Sequence, residues 1–429
     1  MSFSLLVKLT IAAASLPALW LLLPRDPAGA PAGWRRTAAL AILVGVRLGA
    51  ALVWAFAPTL VGSPDLVLYY LPQGRSVLAG LVPGVDFVSS YSPLFTLLTA
   101  AALALLDRPV SIYLLIVAFE LGGIWCLDRA LDRSGVAAGT RDAVLLAYAL
   151  NPLALWYGGV TAYQSTMIMA FFGAALLCFA RPWISAALVA IALPFTKLLA
   201  VLSWPAAALR RGGTAAAIAA FSTVLALTVA LAAAGLDPRA ALDREALDTS
   251  NGNLWFLLGS LLDHPLNRPP LAWLAPAAFV VAVGGALAAA AWRRRTLLPV
   301  ESVADAAAAF ALVGCLFMAL SKKSLPMYYT MFLAALIAVL AEAPRARRNL
   351  LLLGVLGCSS FVTPQFWHGK LGQPDWLPIG PAIATGNGWG LLVLGLDAVT
   401  LTLTLTFARL CWRRLAHGGP DPAGPAATS

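Results

Sequence analysis

The sequence predicts an all-α polytopic membrane protein, a bundle of about 11–13 transmembrane helices with a functional first outer loop. Three observations predict it. Hydrophobic residues make up 61% of the 429 positions, and mean hydropathy is +0.84. Charged residues are only 11%, against about 25% in a soluble domain. Apolar stretches recur at or near the ~17–20 residues that cross a hydrocarbon core. An outer-membrane barrel would show alternating ten-residue segments instead.

The spans follow in order as 5–23, 38–57, 110–127, 142–157, 163–180, 214–234, 271–292, 304–320, 325–342, 349–363 and 389–411. The segment 93–106 is apolar but short, so it lies along the membrane surface or dips into it. The segment 183–209 is broken by Pro194, which lacks a backbone donor and clashes with the preceding turn. It reads as a kinked helix or as two half-helices, and a returning hairpin keeps the topology consistent. Outer loops are then 58–92, 158–162, 235–270, 321–324 and 364–388. Residues 1–23 read as an uncleaved first helix with its N-terminus outside, because Arg35 and Arg36 follow it. Residues 1–411 form a single domain, and 412–429, rich in Pro, Gly and Ala from Gly418, form a disordered cytoplasmic tail.

The net charge of +10 does not point to nucleic acid. It sits in clusters at helix ends: Arg35 and Arg36, Arg210 and Arg211, Arg293 to Arg295, Arg345 to Arg348, Arg413 and Arg414. Such clusters mark cytoplasmic ends. The five cysteines fall in or at the ends of apolar segments. With no CxxC and no Cys/His spacing they read as packing residues.

Chemistry concentrates in the run from Pro64 to Pro93, which carries Asp65, Asp86, Tyr69, Tyr70, Tyr91 and Arg75. Transfer of a sugar from a lipid-phosphate donor fits these residue types. A carboxylate accepts the proton of an acceptor hydroxyl, Lys and Arg stabilise the phosphate leaving group, and aromatic rings suit sugar faces at the interface. Asp65, at the membrane edge, ranks first as base; a helix N-cap is the plain alternative. Asp86 ranks second, against turn capping. Arg75 ranks third, against a surface ion pair. Lys197 is the single charge in an apolar-rich stretch and so a functional candidate. Lys322 and Lys323 lie on the outer side, able to grip a phosphate or anionic head groups. Gln164 enters a helix from the outside, where an interhelical hydrogen bond is the ordinary role. Arg47 reads as structural, paired with a carboxylate the sequence does not identify. The stretch 364–376 mixes His368, Lys370, Asp375 and two tryptophans, as an acceptor loop or an interfacial belt would. No phosphate-binding glycine loop and no Ser/His/Asp spacing is present. A transporter or lipid-linked-sugar flippase is the rival class. It expects ionisable groups near the midplane and repeats, and only Lys197 suits it.

Three blocks carry a resemblance. The first is Asp65-x-x-x-Tyr69-Tyr70, Gly74-Arg75-x-Val77-Leu78-x-Gly80-x-x-Pro83, Asp86-Phe87 and Tyr91-x-Pro93-Leu94. The second runs from Asn151-Pro152 through Tyr163-Gln164-Ser165 to Phe195-Thr196-Lys197 and Trp204-Pro205. The third is Lys323 to Tyr329. In this order they resemble the GT-C superfamily of integral-membrane glycosyltransferases, chiefly bacterial mannosyltransferase-like members. The resemblance implies an inverting hexosyltransferase in a bacterial plasma membrane, with its active site on the extracytoplasmic side. It implies a polyprenyl-phosphate sugar as donor, mannose foremost, and an envelope lipid, glycan or protein as acceptor. It places the catalytic role on Asp65 with Asp86 in support, and donor phosphate on Lys197, with Arg75, Lys322 and Lys323 as further cationic candidates. Tyr69, Tyr70, Tyr91 and Gln164 become substrate-binding candidates. Gln164 stands where relatives often carry Asp, which leaves a divalent cation, Mg or Mn, open.

Overall fold

The computed structural model describes residues 3–31, 33–61, 64–89, 91–233, 249–266 and 268–418. Among them the chain is helical, with no β-sheet beyond two isolated bridges. Eight helices are long and apolar enough to cross a membrane, or nine if one bent pair counts as a span.

The first, α1 (Phe3–Leu22), and α2 (Trp34–Phe56) show why these segments are membrane helices. On α2, Leu40, Val44, Leu48 and Leu52 form an exposed stripe at four-residue spacing, while Ala39, Leu43, Arg47, Ala50 and Trp54 are buried behind it. Residues four apart share a helix face, so one face meets lipid and the other the bundle. A π-helical turn, Leu66–Tyr70, leads into the short α3 (Leu71–Leu78). The next helix, α4 (Pro93–Leu105), runs parallel to α3: Tyr70 packs on Phe95, and Gly74 lies against Thr99, Ala100 and Leu103. A Cβ on Gly74 would meet a Leu103 methyl at 2.7 Å, so the close approach needs glycine.

The long α5 (Pro109–Arg133) runs antiparallel to α2. Arg36 meets Asp128 at one end, and the Tyr113 hydroxyl donates to the Arg47 carbonyl nearer the other. It is followed by α6 (Ala138–Leu150), which bends by 73° into a π-helical turn, Ala154–Val160. The cause is local. Pro152 disfavours helical backbone at Asn151, which is extended, and the Asn151 side chain accepts the Leu153 amide at 2.9 Å.

Beyond the bend, α7 (Ser165–Leu177) has only 13 residues, about 20 Å of helix against the ~30 Å hydrocarbon thickness. The expected spans 163–180 and 325–342 are therefore shorter than read from sequence; the latter is a 3-10 turn, Pro326–Met331, followed by the ten-residue α14 (Leu333–Glu342). Both short helices are buried along nearly their whole length inside the bundle, so their apolarity reflects protein neighbours rather than lipid.

The segment 183–209 breaks into α8 (Pro182–Phe195), a 3-10 turn over Leu198–Ser203 and α9 (Trp204–Ala208). Its two arms run in opposite senses: Arg210 returns to Phe179, next to where the first arm began. Thr196 and Lys197 form the apex. There follow α10 (Gly213–Ala233), α11 (Leu254–Leu262), α12 (Leu274–Arg294) and α13 (Val303–Leu320). The chain ends with α15 (Ala346–Gly369), α16 (Ile379–Ala384) and α17 (Gly388–His417). The last helix, α17, continues through His417, so residues 412–417 of the expected tail are helical. Residues 419–429 lie outside the described residues, as do 235–248 and 267 of the expected outer loop 235–270.

The bundle has two unlike ends. At one, arginines pair with carboxylates: Arg36 with Asp128 at 2.5 Å, Arg141 with Asp132 at 2.9 Å, Arg294 and Arg414 with Asp305 at 3.2 and 3.4 Å. At the other end lie the Pro64–Pro93 loop, the bend after α6, the hairpin apex and the turn after α13. A small core of Trp54, Tyr70, Tyr91, Phe95 and Tyr113 seats that loop on α2 and α5.

Candidate functional site

The site is built where the loop docks on the hairpin. The end of α8 at Phe195, one residue past Pro194, leaves carbonyls without helical partners. Ser92 takes two of them: its hydroxyl donates to the Pro194 carbonyl, and its amide donates to the Thr196 carbonyl at 3.4 Å. Ser89 fixes the approach, lying 2.9 Å from Gln73 Oε1 and accepting the Tyr91 amide at 3.0 Å. These contacts set Tyr91 beside Lys197, whose ammonium stands 4.8 Å from the Tyr91 ring centroid and 5.5 Å from that of Tyr328.

Tyr91 then links the cation to the acid. Its hydroxyl donates to Asp65 Oδ2 at 2.6 Å. Tyr70 packs edge-on against Tyr91, ring centroids 4.9 Å apart, and the two hydroxyls also hydrogen-bond. Tyr69 packs on the other side at 6.3 Å. The Tyr70 hydroxyl accepts the Gln164 amide at 3.2 Å, which ties the start of α7 to the same cluster. Tyr163 reaches the backbone amide of Asp65 through its hydroxyl. Burial, followed by nearby acidic groups, Asp65 among them, holds the phenols of Tyr70, Tyr91 and Tyr163 well above the ordinary tyrosine range. All three are therefore neutral, and Tyr91 is the one whose donation to the Asp65 carboxylate is seen.

Six of the sequence candidates thus come together: Asp65, Tyr69, Tyr70, Tyr91, Gln164 and Lys197. Gln164 is buried, and its Nε2 finds no hydrogen-bond partner among the described residues, a feature that in a native site asks for a ligand or water. Lys322 and Lys323 sit in the turn that precedes Tyr328, and the Lys322 carbonyl accepts the Ser250 amide at 2.9 Å.

Two candidates stand apart. Asp86, expected to support catalysis, is exposed, and its Oδ2 accepts the Val82 amide at 2.7 Å, closing a tight turn. Arg75, expected near donor phosphate, also lies outside the cluster. It pairs with Asp107 at 2.9 Å with both side chains more than half exposed, because α3 carries it away from the hairpin toward the far end of α4. Asp375 in the 364–376 stretch is likewise engaged, by Arg268 and by the Thr249 hydroxyl.

A cleft of about 390 Å³ opens beside Asp65, walled by Pro64, Trp156, Tyr157, Thr161, Tyr163, Pro326 and Met327, with Lys8, Gln365 and His368 completing it. The bend after α6 supplies its aromatic wall, and a buried ion pair supports the bend. Arg47 and Glu120 meet at 2.6 Å, and the Arg47 Nη2 also donates to the Ala154 carbonyl at 3.4 Å. At Gly158 a Cβ would come within 2.2 Å of Glu120 Oε1, so the turn can lie on the pair only as glycine. Glu120 is the carboxylate expected for Arg47. Lys8, Tyr157 and Tyr328 were not among the sequence candidates. Lys8 was visible as a lysine in the first apolar span but not as a buried one; Tyr328 stood inside the third block, Lys323 to Tyr329, without a role of its own, and Tyr157 lay in an apolar span.

Among the described residues no three His, Cys, Asp or Glu side chains approach one another as metal ligands. No protein-family model matches the chain, and no curated protein matches it. What the fold defines is the class: a polytopic α-helical membrane protein with a polar, tyrosine-lined site at one end of its bundle.

Proposed function

We propose that this chain is an inverting membrane glycosyltransferase that takes a sugar, mannose foremost, from a polyprenyl-phosphate donor. The acceptor is a hydroxyl of an envelope lipid, glycan or protein. The observation that carries the reading is the single tyrosine that joins acid and cation: Tyr91 donates to Asp65 at 2.6 Å and lies under Lys197 at 4.8 Å. In the proposed step the acceptor oxygen bonds to the anomeric carbon as the bond from that carbon to the phosphate oxygen breaks. The acceptor proton passes to Asp65, and Lys197 meets the charge gained by the departing polyprenyl phosphate. The positive-inside rule supports a cytoplasmic arginine-rich end, and with it the proposed extracytoplasmic site in a bacterial plasma membrane.

The test is purified protein in lipid nanodiscs, incubated with a panel of polyprenyl-phosphate sugars and total envelope lipid, with donor consumption followed by mass spectrometry. Consumption of one donor by the native chain, and none by a folded Asp65→Asn variant, is expected. Full activity of that variant, or no consumption of any donor, defeats the reading.

A further inference from the structure

Lys8 is the least expected charge in the molecule. It lies in α1, is 9% exposed, and makes no ion pair with a carboxylate among the described residues. Its ammonium stands over two rings, 5.2 Å from the centroid of Trp156 and 5.5 Å from that of Phe361. Ring faces attract a cation, but they do not replace the water and counter-ion it gave up on burial. An ionisable group kept in such a place is a functional candidate.

The surroundings say what it meets. Lys8 lines the cleft beside Asp65, whose volume of about 390 Å³ is in the usual range of small-ligand pockets, ~300–1,000 Å³. Trp156, Tyr157 and Tyr163 line it with the edges of packed aromatic rings, and Thr161, Gln365 and His368 bring hydrogen-bonding groups. A sugar ring has apolar C–H faces and an edge of hydroxyls, and matches such a wall. The one cation on the floor asks for one anionic substituent. Two of its walls border Asp65: Pro64 precedes it in the chain, and the Tyr163 hydroxyl reaches its backbone amide.

We propose that the Lys8 cleft is the acceptor subsite and binds an anionic saccharide, its carboxylate or phosphate on Lys8 and its ring on Trp156, Tyr157 and Tyr163. This rests on the transferase reading and adds the charge and class of the acceptor to it.

The test is binding, which needs no turnover. Protein in phosphatidylcholine nanodiscs is titrated with glucuronate, glucose 6-phosphate, glucose and inorganic phosphate, and saturation-transfer NMR reads ring protons in contact with protein. Both charged sugars are expected to bind with ring-proton transfer, and about tenfold or more tighter than glucose. The difference should vanish in Lys8→Met and return in Lys8→Arg. Removing a buried charge from an apolar helix does not threaten folding, which a monodisperse elution profile verifies. Equal binding of glucose, or charged-sugar binding unchanged in Lys8→Met, overturns the proposal. Inorganic phosphate binding as tightly as glucose 6-phosphate overturns the saccharide half. Loss of the sugar signal when phosphatidylglycerol replaces phosphatidylcholine overturns it in favour of a lipid head group. If no polyprenyl-phosphate sugar is consumed while Lys8-dependent binding persists, the transferase reading fails and the anionic-saccharide site stands.

Discussion

Replacing Glu120 by Ala tests whether the wall of the cleft depends on the Arg47–Glu120 pair. The pair is sealed from solvent, at 3% and 0% side-chain exposure. Glu120 receives Arg47 through two nitrogens, at 2.6 and 3.2 Å, and the Tyr148 hydroxyl at 2.8 Å. Alanine removes the acceptor of all three. Arg47 is then an unpaired guanidinium near the middle of a membrane helix, for which insertion scales give about 2.5–3.5 kcal/mol. Loss of one partner of a buried pair in soluble proteins costs a similar 3–5 kcal/mol. The stranded Tyr148 hydroxyl adds to this, while relaxation of Arg47 toward the Ala154 and Leu43 carbonyls, already 3.4 and 3.5 Å away, subtracts. A net loss of about 3 kcal/mol follows, more than a hundredfold in the folding equilibrium.

The assay is equilibrium unfolding in mixed micelles, read by near-UV circular dichroism. The partner experiment is the double variant Arg47→Met, Glu120→Leu, which removes both charges and keeps apolar volume. Such replacements are neutral or stabilising by about 1–4 kcal/mol, so the double variant should recover most of what Glu120→Ala loses. A loss below about 1 kcal/mol, the size of an exposed pair, or a double variant no better than the single, would refute the reasoning.

Tyr91→Phe keeps the ring under Lys197 and removes the hydroxyl that donates to Asp65; transfer should slow by about tenfold or more in the donor-consumption assay, and an unchanged rate would contradict the link. Asp86→Ala and Arg75→Ala should leave donor consumption within about twofold of the native chain, as surface substitutions away from a site do; a loss of two orders of magnitude in either would return that residue to the mechanism. The raised phenols set an alkaline limit. Their neutral forms favour the folded state, so the contribution is complete below the ordinary value of 10.0 and is lost as pH rises above it toward the folded values. A tyrosinate absorbance titration should show fewer than the nine tyrosines ionising just above pH 10, the rest appearing only with unfolding; nine equivalent, reversible tyrosines would contradict the cluster. Asn251→Ala strips two contacts, at 3.1 and 3.2 Å, from the buried Asp397 carboxylate, and should cost about 1–3 kcal/mol in the same unfolding assay.

The fold class was legible because it is a property of composition. Apolar runs and arginines at their ends define membrane helices residue by residue, with no knowledge of neighbours. Span lengths were less legible for a physical reason. A helix surrounded by protein and one surrounded by lipid are equally apolar, so α7 and α14 read as full spans although each is too short to cross. The break at Pro194 was local and could be read; that its apex meets Tyr91 could not, because Ser92 and Pro194 are 102 residues apart in sequence.

The same distinction separates the site residues that came together from those that did not. Asp65, Asp86 and Arg75 are polar residues of one loop, ranked in that order in sequence. What divides them is which end of a short helix each occupies. The turn Leu66–Tyr70 keeps Asp65 against the bundle, α3 carries Arg75 about a turn and a half further out, and Asp86 lies beyond the next bend with a backbone amide as its partner. Lys8 illustrates the converse. A lysine near the start of an apolar segment is ordinary while the segment stands alone, since it can reach the interface. It becomes informative only when α15 and the bend after α6 close over it and bring Phe361 and Trp156 to its ammonium. Burial, unlike charge, is a property of the assembled bundle, and the residues most worth substituting here are those whose charge was visible in the sequence and whose burial was not.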